Sequence, residues 1–439
     1  MMNKHTAVLA LALAATTTGA PAQTPPILST WILNQNGQMA SQYYDNAAMG
    51  QPPSIVFLQN TDSADALRVC YDASTVWVRS HGMTANMGPW LNPGAATAQG
   101  YAHKFPRNPT VPTVKVASPT GGEIGMLVNG VPIYGLTNAN SWTGTTNGFP
   151  QQGGQGIWNV EVGLAEGLVL DTVLGAHPQQ QGAYHSHTTP YRLYKNLPPT
   201  QHSPIVGWSF DGYPVYGPYG YADPMSNTSS IIRMSTGYSL RNITERTTLP
   251  NGNTASQAGP AVSTQYPLGT YVEDYEWLAT NGGTLDQYNG RICVTPEFPQ
   301  GTYAYFVTMD AAGAAEFPYY IGLQYYGQPL TENFPQGPNG NGLSIPATGL
   351  TCLEAATSVG LSPQPDALRV FPNPSTDGTI TLANLEGYDY IVVMDALGRK
   401  VSETAVSGIA QCMVLSSPGI YYVRCEGSGG HVVRQIMVR

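Results

Sequence analysis

The stretch Gly182-Ala-Tyr-His185-Ser-His187 begins a segment rich in Tyr, Ser and Thr, a composition typical of a β-strand. Side chains alternate between the two faces of a strand, so the imidazoles of His185 and His187 are expected on one face. His177 and His202 lie nearby in loop-like sequence beside prolines. Imidazole is a good ligand for Zn and Cu, so the cluster predicts a metal site formed by these four histidines.

Two other interpretations of the cluster stay open. The histidines can form hydrogen bonds with carbonyls and Tyr hydroxyls in a packed aromatic layer, or they can perform acid–base chemistry without a metal.

Carboxylates near the histidines are candidates for a supporting role, as is the neighbouring Tyr184. Glu161, Glu166 and Asp171 precede the cluster on stretches predicted as strands, and a carboxylate can complete an imidazole ligand set. Asp171 is preferred among them because it is closest in sequence to the histidines. Asp211 is a further candidate, although its place before Gly212 favours a role in a turn.

An internal repeat surrounds the cluster. Residues 125–135 align without a gap with residues 207–217, and each copy has Asn-Gly or Asp-Gly between apolar runs. Such dipeptides predict β-hairpins with type I′ turns, in which both central residues have positive φ. The same hairpin is therefore expected twice, with the two copies packed together.

These motifs resemble the YHYH family of secreted bacterial proteins. The resemblance covers most of residues 55–330 and is carried by Tyr184–His187, by 202–220 and, further away, by 130–135, 289–297 and 301–306. Ser186 stands where the family has Tyr. On an alternating strand, Ser186 would point away from the two flanking histidines, so the predicted ligands are unaffected. The resemblance implies the extent of the domain and supports the site, but it does not imply an activity.

The composition predicts an exported, all-β protein. Only 10% of the residues are charged, whereas the chain has 27 Tyr, 49 Gly and 36 Pro, which favours many short strands and turns. The 42% of hydrophobic residues suffices for a core. A formal charge of -9 without a basic stripe argues against nucleic acid as a partner.

The N-terminal sequence predicts a signal peptide over residues 1–22. A short basic segment precedes the apolar run 7–15, and Ala20-Pro-Ala22 has the form of a cleavage site. No later stretch approaches the twenty apolar residues of a transmembrane helix, so no transmembrane segment is expected. Residues 23–54 are predicted to be an irregular lead-in to the large domain.

Five cysteines in an exported chain allow at most two internal disulfides. Cys412 and Cys425 lie in one small C-terminal segment and are candidates for one bridge. Cys70, Cys293 and Cys352 are three candidates for the other, and the sequence does not choose among them.

The C-terminal segment is expected to be a separate domain. A Pro- and Gly-rich linker over residues 331–365 precedes about six short predicted strands in residues 366–439, which favour a small β-sandwich. The stretches 369–374, 391–401 and 418–424 resemble the type A C-terminal sorting domain of the type IX secretion system. This resemblance implies a Bacteroidetes-type bacterium, the type IX machinery as a partner, and a secreted or cell-surface protein that passes through the periplasm.

The predicted fold is thus a large β-rich domain with internally repeated hairpins, followed by the small β-sandwich. Hydrolase, nucleotide-binding and calcium-binding motifs are absent, and nothing indicates an organic cofactor. The leading hypothesis is a secreted or cell-surface metal-binding protein. The alternatives are an adhesion module that binds extracellular glycan or protein through its aromatic residues, and a metalloenzyme acting on an extracellular polymer. The sequence does not decide whether the protein is an enzyme.

Overall fold

A computed structural model describes residues 24–34, 37–45, 55–85, 87–92, 94–119, 121–148, 156–179, 181–334, 343–354, 368–385, 387–395, 399–427 and 430–438. The predicted signal peptide, residues 1–22, lies outside these ranges, as do parts of the predicted lead-in and linker.

The first part of the described chain contains fifteen strands and two short helices. The strands are β1 (Met39–Asp45), β2 (Ile55–Ser63), β3 (Ala66–Tyr71), β4 (Thr75–Ser80), β5 (Met87–Trp90), β6 (Tyr101–Pro106), β7 (Glu123–Leu127), β8 (Pro132–Tyr134), β9 (Thr137–Trp142), β10 (Asn147–Gly148), β11 (Asn159–Glu161), β12 (Ala176–Pro178), β13 (Tyr184–Ser186), β14 (Ile205–Ser209) and β15 (Pro214–Tyr216). The helices are α1 (Pro26–Ser29) and α2 (Val162–Glu166).

Fourteen further strands follow in the remaining described residues. They are β16 (Tyr219–Tyr221), β17 (Ile231–Arg233), β18 (Tyr238–Leu240), β19 (Tyr275–Trp277), β20 (Gly290–Cys293), β21 (Thr302–Phe306), β22 (Thr351–Glu354), β23 (Arg369–Phe371), β24 (Thr379–Ala383), β25 (Tyr390–Asp395), β26 (Lys400–Ala405), β27 (Ala410–Val414), β28 (Gly419–Gly427) and β29 (Gly430–Val438). Four 3₁₀ turns lie at Tyr191–Leu193, Val272–Asp274, Ala279–Asn281 and Thr331–Asn333. The protein is therefore all-β, as predicted. No helix in the described ranges has the length and apolar content needed to cross a bilayer.

The chain divides into two compact units, residues 1–357 and 358–439. The first unit contains an eight-stranded sheet with the order β12-β13-β8-β7-β14-β15-β21-β20. Its two middle hairpins, β7–β8 and β14–β15, are the two copies of the internal repeat. They join through antiparallel pairing of β7 with β14, in which Met126 lies opposite Trp208. The prediction of a hairpin used twice and packed against itself is confirmed.

The turns of these hairpins are not type I′. Gly130 and Gly212 have φ of 79° and 83°, but neither Asn129 nor Asp211 has positive φ. In the first copy the Gly130 amide donates to the Leu127 carbonyl, and the Leu127 amide donates to the Val131 carbonyl. This pattern is a three-residue loop with its glycine in the left-handed region. The expected turn type was wrong because one positive φ suffices in this longer loop.

The middle strands of the sheet are buried on both faces, which explains their mostly apolar sequence. Every residue of β7 and β14 is buried. Trp208 and Phe210 from the second repeat and Phe105 from β6 are among the large side chains of the core. Full burial of one such side chain contributes about 1.5–3 kcal/mol, so this packing fixes the sheet's register.

A second sheet, with the order β22-β3-β4-β6, is closed by a disulfide. Cys352 on β22 lies opposite Cys70 on β3, and the two are bonded, which leaves Cys293 as a buried free thiol. The segment predicted as a linker therefore contains a strand of the first unit.

The C-terminal unit contains two sheets, with the orders β23-β24-β27 and β26-β25-β28-β29. Ile380 and Leu382 from the first sheet and Ile391, Val393 and Val423 from the second share one core, so the unit is a β-sandwich. It has seven strands in its described residues rather than about six.

Cys412 and Cys425, the candidates for one bridge, are not bonded to each other. Cys425 is buried in the core of the sandwich, whereas Cys412 is exposed on β27, in the other sheet. The two cysteines share a domain, but their thiols point in different directions.

Removal of the disulfide by replacing Cys70 and Cys352 with Ala should lower the free energy of unfolding of the first unit by about 2–4 kcal/mol, because the bridge closes a loop of 282 residues. All seven tryptophans precede residue 358, so tryptophan fluorescence during urea denaturation reports on this unit. The exposed Cys412→Ala, in the other unit, should change the free energy of unfolding of the first unit by less than about 0.5 kcal/mol. An unchanged midpoint for the double variant would contradict this role.

Candidate metal centre

Three of the four predicted histidines converge at one end of the eight-stranded sheet. β12 pairs antiparallel with β13, and this pairing places His177 directly opposite His185. His187 follows two residues later and returns to the same face. One ring nitrogen from each of the three lies within 4.8 Å of the other two, and all three residues are buried.

The hydrogen bonds of His185 and His187 determine which ring nitrogens carry hydrogen. His185 Nδ1 is 2.8 Å from the Ala183 carbonyl oxygen, and His187 Nδ1 is 3.1 Å from the Gly135 carbonyl oxygen. A carbonyl only accepts, so each Nδ1 is the donor and each neutral ring has a lone pair at Nε2. The two Nε2 atoms are 2.9 Å apart. Two facing lone pairs at this distance require a shared proton or a cation.

The electrostatics of the site disfavour the proton. Burial, with the neighbouring imidazoles, holds the pKa of His185 well below its usual value. Burial likewise lowers the pKa of His187 to about 4. Both rings are therefore neutral at pH 7, and neutral imidazole is the form that binds metals.

A carboxylate completes the cluster. Glu166 Oε2 lies 3.1 Å from His177 Nε2 and 3.6 Å from His187 Nε2. Burial alone would raise the pKa of Glu166, but the hydrogen bond from His177 and the nearby imidazoles outweigh it and hold the pKa below its usual value. The arrangement thus brings three imidazoles together, with an anion beside two of them, which is a ligand set suited to Zn.

Glu166 reaches the site because the chain forms a short helix there. Glu161 caps α2 by accepting hydrogen bonds from the Gly163 and Leu164 amides at 2.8 and 2.7 Å. Glu166 is the last residue of this helix. The region was predicted as strand, and Asp171 was preferred over Glu166, so the carboxylate nearest the histidines was named as a candidate but not chosen. The signal for the helix was Glu161, an acidic residue that can cap a helix, directly before Val-Gly-Leu-Ala-Glu.

Tyr134 packs on the cluster from the first hairpin. Its ring stacks on His185 with centroids 3.8 Å apart and planes at 21°, and it meets His187 edge-on at 5.8 Å. A side-chain hydrogen bond joins Tyr134 to Tyr101. Tyr134 therefore restricts rotation of the His185 ring. The sequence did not single it out, although it stands at the end of a repeat copy.

Asp171 and Tyr184 lie outside the group that converges. Asp171 accepts hydrogen bonds from the Tyr184 hydroxyl and from the backbone amides of Leu174, Val173 and Gly88, the first of these amides at 2.8 Å. The Tyr184 ring packs against Trp90, with centroids 5.6 Å apart. Asp171 thus holds the chain just before β12, and Tyr184 holds the opposite face of β13.

Ser186 points away from the histidines, as strand alternation predicts. Its hydroxyl lies 2.6 Å from both the Leu174 carbonyl oxygen and the Tyr320 hydroxyl.

His202 does not join the other three histidines. It precedes β14, three strands away from β13 in the sheet, which is roughly 14 Å at ordinary strand spacing. Its ring contacts Tyr216 and Tyr221 with centroids 5.0 and 4.9 Å away. His202 is near the other histidines in sequence but not in space, because the chain crosses the sheet between β13 and β14.

Asp211 is also distant from the cluster and serves the second hairpin. It accepts hydrogen bonds from the Tyr305 hydroxyl at 2.7 Å and the Gly327 amide at 2.8 Å. The Tyr213 amide points to it at 3.3 Å, in keeping with the preferred role in a turn.

A further histidine, His103, is fully buried on β6, away from the three that converge. Its Nε2 lies 2.8 Å from the Glu123 carboxylate.

Comparison with known proteins gives two matches. A family model described as "YHYH protein" matches residues 102–317, and one described as "Secretion system C-terminal sorting domain" matches residues 369–439. None of the curated proteins matches the chain.

Asp171→Ala should lower the free energy of unfolding by at least about 1–3 kcal/mol, because it leaves the buried Tyr184 hydroxyl and backbone amides without an acceptor. Urea denaturation followed by tryptophan fluorescence measures this loss. The exposed Glu245→Ala is the matched control and should stay within about 0.5 kcal/mol of the wild type. Equal stability of the two variants would show that Asp171 does not hold this region.

Proposed function

This chain carries a YHYH domain and a C-terminal sorting domain that directs export to the cell surface or beyond, and from that premise we propose that it is an extracellular metal-binding protein. The proposed ligands are His177, His185, His187 and Glu166. Zn or Cu is the proposed ion, because imidazole suits both metals.

The contact between His185 and His187 carries the proposal. Their Nε2 atoms are 2.9 Å apart, and each Nδ1 is already committed to a backbone carbonyl. Buried polar atoms need hydrogen-bond partners, and two nitrogen lone pairs that face each other cannot be partners for each other. A cation bound to both Nε2 atoms converts the repulsion into two favourable contacts. His177 and the Glu166 carboxylate lie beside this pair, and His177 would bind the ion through Nε2 as the tautomer that carries its hydrogen on Nδ1.

The backbone hydrogen bonds of the two rings support the same role. A metal-binding imidazole usually donates its other N–H to a carbonyl or carboxylate, which fixes the ring and its tautomer. The Ala183 and Gly135 carbonyls supply these acceptors. Tyr134 adds a stacking surface, so His185 is held in place before any ion arrives.

The ligand set favours a structural or sequestering role over catalysis. Three imidazoles and one carboxylate fill the four positions that Zn uses in structural sites. If Glu166 acted as a base toward a water molecule and not as a ligand, the ion would have an open position and could act there as a Lewis acid. That is the route by which the same residues would serve a metalloenzyme acting on an extracellular polymer.

Metal content tests the proposal. Purified protein, stripped with chelator, dialysed against Zn or Cu and measured by elemental mass spectrometry, should hold about one ion per chain. His185→Ala/His187→Ala should hold none, because it removes two of the proposed ligands and the contact between them. Metal should also raise the melting temperature of the wild type but not that of the variant.

His202→Ala is the matched control, since it removes a histidine from the same stretch of sequence but from another part of the sheet. It should keep the wild-type metal content. Glu166→Gln should bind metal more weakly than the wild type while retaining the three imidazoles. The same metal content in the wild type and the double variant, or no metal in the wild type, would reject the proposal.

A further inference from the structure

The eight-stranded sheet has an approximate two-fold symmetry that extends beyond the repeated hairpins. The two-fold axis passes between Met126 and Trp208, which lie opposite each other and are equivalent positions of the two repeat copies. Outside β8 lies β13 in parallel pairing, and outside β15 lies β21, also in parallel pairing. Each of these carries an antiparallel edge strand, β12 on β13 and β20 on β21. The two halves of the sheet therefore have the same topology.

The register relates the two halves residue by residue. Ser186 pairs with Ile133 in one half, and Tyr305 pairs with Val215, the repeat equivalent of Ile133, in the other. Ser186 thus corresponds to Tyr305. It follows that the neighbours of Ser186, the two cluster histidines of β13, correspond to Ala304 and Phe306.

The edge strands extend this correspondence to a charged residue. His177 lies opposite His185, and Arg291 lies opposite Ala304, the counterpart of His185. Arg291 therefore occupies the place of His177 in the other half of the sheet. One half brings imidazoles together, and the equivalent positions of the other half hold a guanidinium.

His202 belongs to this second cluster. Its ring packs near Tyr216, the repeat equivalent of Tyr134, and near Phe306 at a centroid distance of 6.1 Å. The Arg291 guanidinium carbon lies 5.5 Å from the centre of the same Phe306 ring. Tyr134 and Tyr216 thus each place an aromatic ring beside a histidine.

The charge of Arg291 has no carboxylate partner among the described residues. Its side chain is 9% exposed, and it donates a hydrogen bond to the Tyr221 carbonyl oxygen. Asp223 is close enough to favour the charged guanidinium without forming an ion pair with it. The neighbouring Cys293 shares a side-chain hydrogen bond with Arg291, but it does not supply an anion, because burial raises the pKa of its thiol. A buried, uncompensated cation is costly.

Two buried nitrogens of the cluster also have no hydrogen-bond partner in the described part of the chain. These are Arg291 Nε and His202 Nε2. Gly220 packs against the guanidinium, where an added Cβ would lie 3.2 Å from an Arg291 nitrogen, so no side chain covers it from that strand. His202 and Tyr221 are only partly buried, which gives the cluster a route to solvent.

We propose that Arg291 and His202 bind a carboxylate at this second cluster. A carboxylate matches the planar fork of a guanidinium, balances its charge and accepts a hydrogen bond from Arg291 Nε. His202 Nδ1 already donates to the Ser203 carbonyl oxygen at 2.8 Å, so His202 donates to the carboxylate from Nε2 as the imidazolium, and binding takes up one proton from solvent. The proposal does not depend on metal binding by the histidines of the other half.

Isothermal titration of the full chain with acetate tests the site, and tetragalacturonate tests the same group carried on a glycan. We expect saturable binding of at least one of them above a sodium chloride control of equal ionic strength. Saturation by acetate identifies a free carboxylate as sufficient, and saturation by tetragalacturonate alone identifies a polymer-borne one. Absence of saturable binding of both overturns the proposal.

Variants tie the binding to the cluster. Arg291→Gln should weaken it at least about tenfold, and Arg291→Lys should recover part of it, since lysine keeps the charge without the fork. His202→Gln, a change at a partly exposed position, should weaken it even if the Arg291 variant does not fold. His185→Ala/His187→Ala should bind the carboxylate as the wild type does. Undiminished binding in a folded Arg291→Gln or in His202→Gln would place the carboxylate elsewhere and reject the assignment.

Discussion

The antiparallel pairing of β7 with β14 is the constraint on which the rest of the first unit depends. It joins two copies of one hairpin at Met126 and Trp208, in a part of the sheet that is buried on both faces. A shift by one residue would turn every side chain of a strand to the other face, so burial permits one register. Once this register is fixed, the strands added outside each hairpin have fixed positions too. The two polar clusters of the sheet follow from that arrangement.

Each of the two clusters requires a charged partner, and the two partners have opposite signs. On one side, facing imidazole lone pairs require a positive charge, and the Glu166 carboxylate is present to balance it. On the other side, Arg291 brings the positive charge itself and requires an anion. Both demands are strong because the groups are buried and water cannot satisfy them.

Local sequence patterns predicted the features that depend on nearest neighbours along the chain. Alternation placed His185 and His187 on one face and Ser186 on the other, and the aligned repeat predicted two hairpins. The turn type was wrong because the same Asn-Gly pair also fits a three-residue loop. Glu166 was named as a candidate but ranked below Asp171, because five residues of helix interrupt the predicted strands, and that interruption depends on a cap made by Glu161.

Residue patterns along the chain were enough to predict the all-β class, the two β-rich parts, the repeated hairpin and the placement of two histidines on one strand face, because periodicity and turn residues act over a few positions. The approach of His177 and Glu166 to this pair, and the separation of His202 from it, came from the folded arrangement of the strands. That arrangement also decided that Cys70 bonds Cys352 across 282 residues. Those outcomes depend on which strands become neighbours in the sheet, and strand order is set by burial and register over the whole domain rather than by distance along the chain.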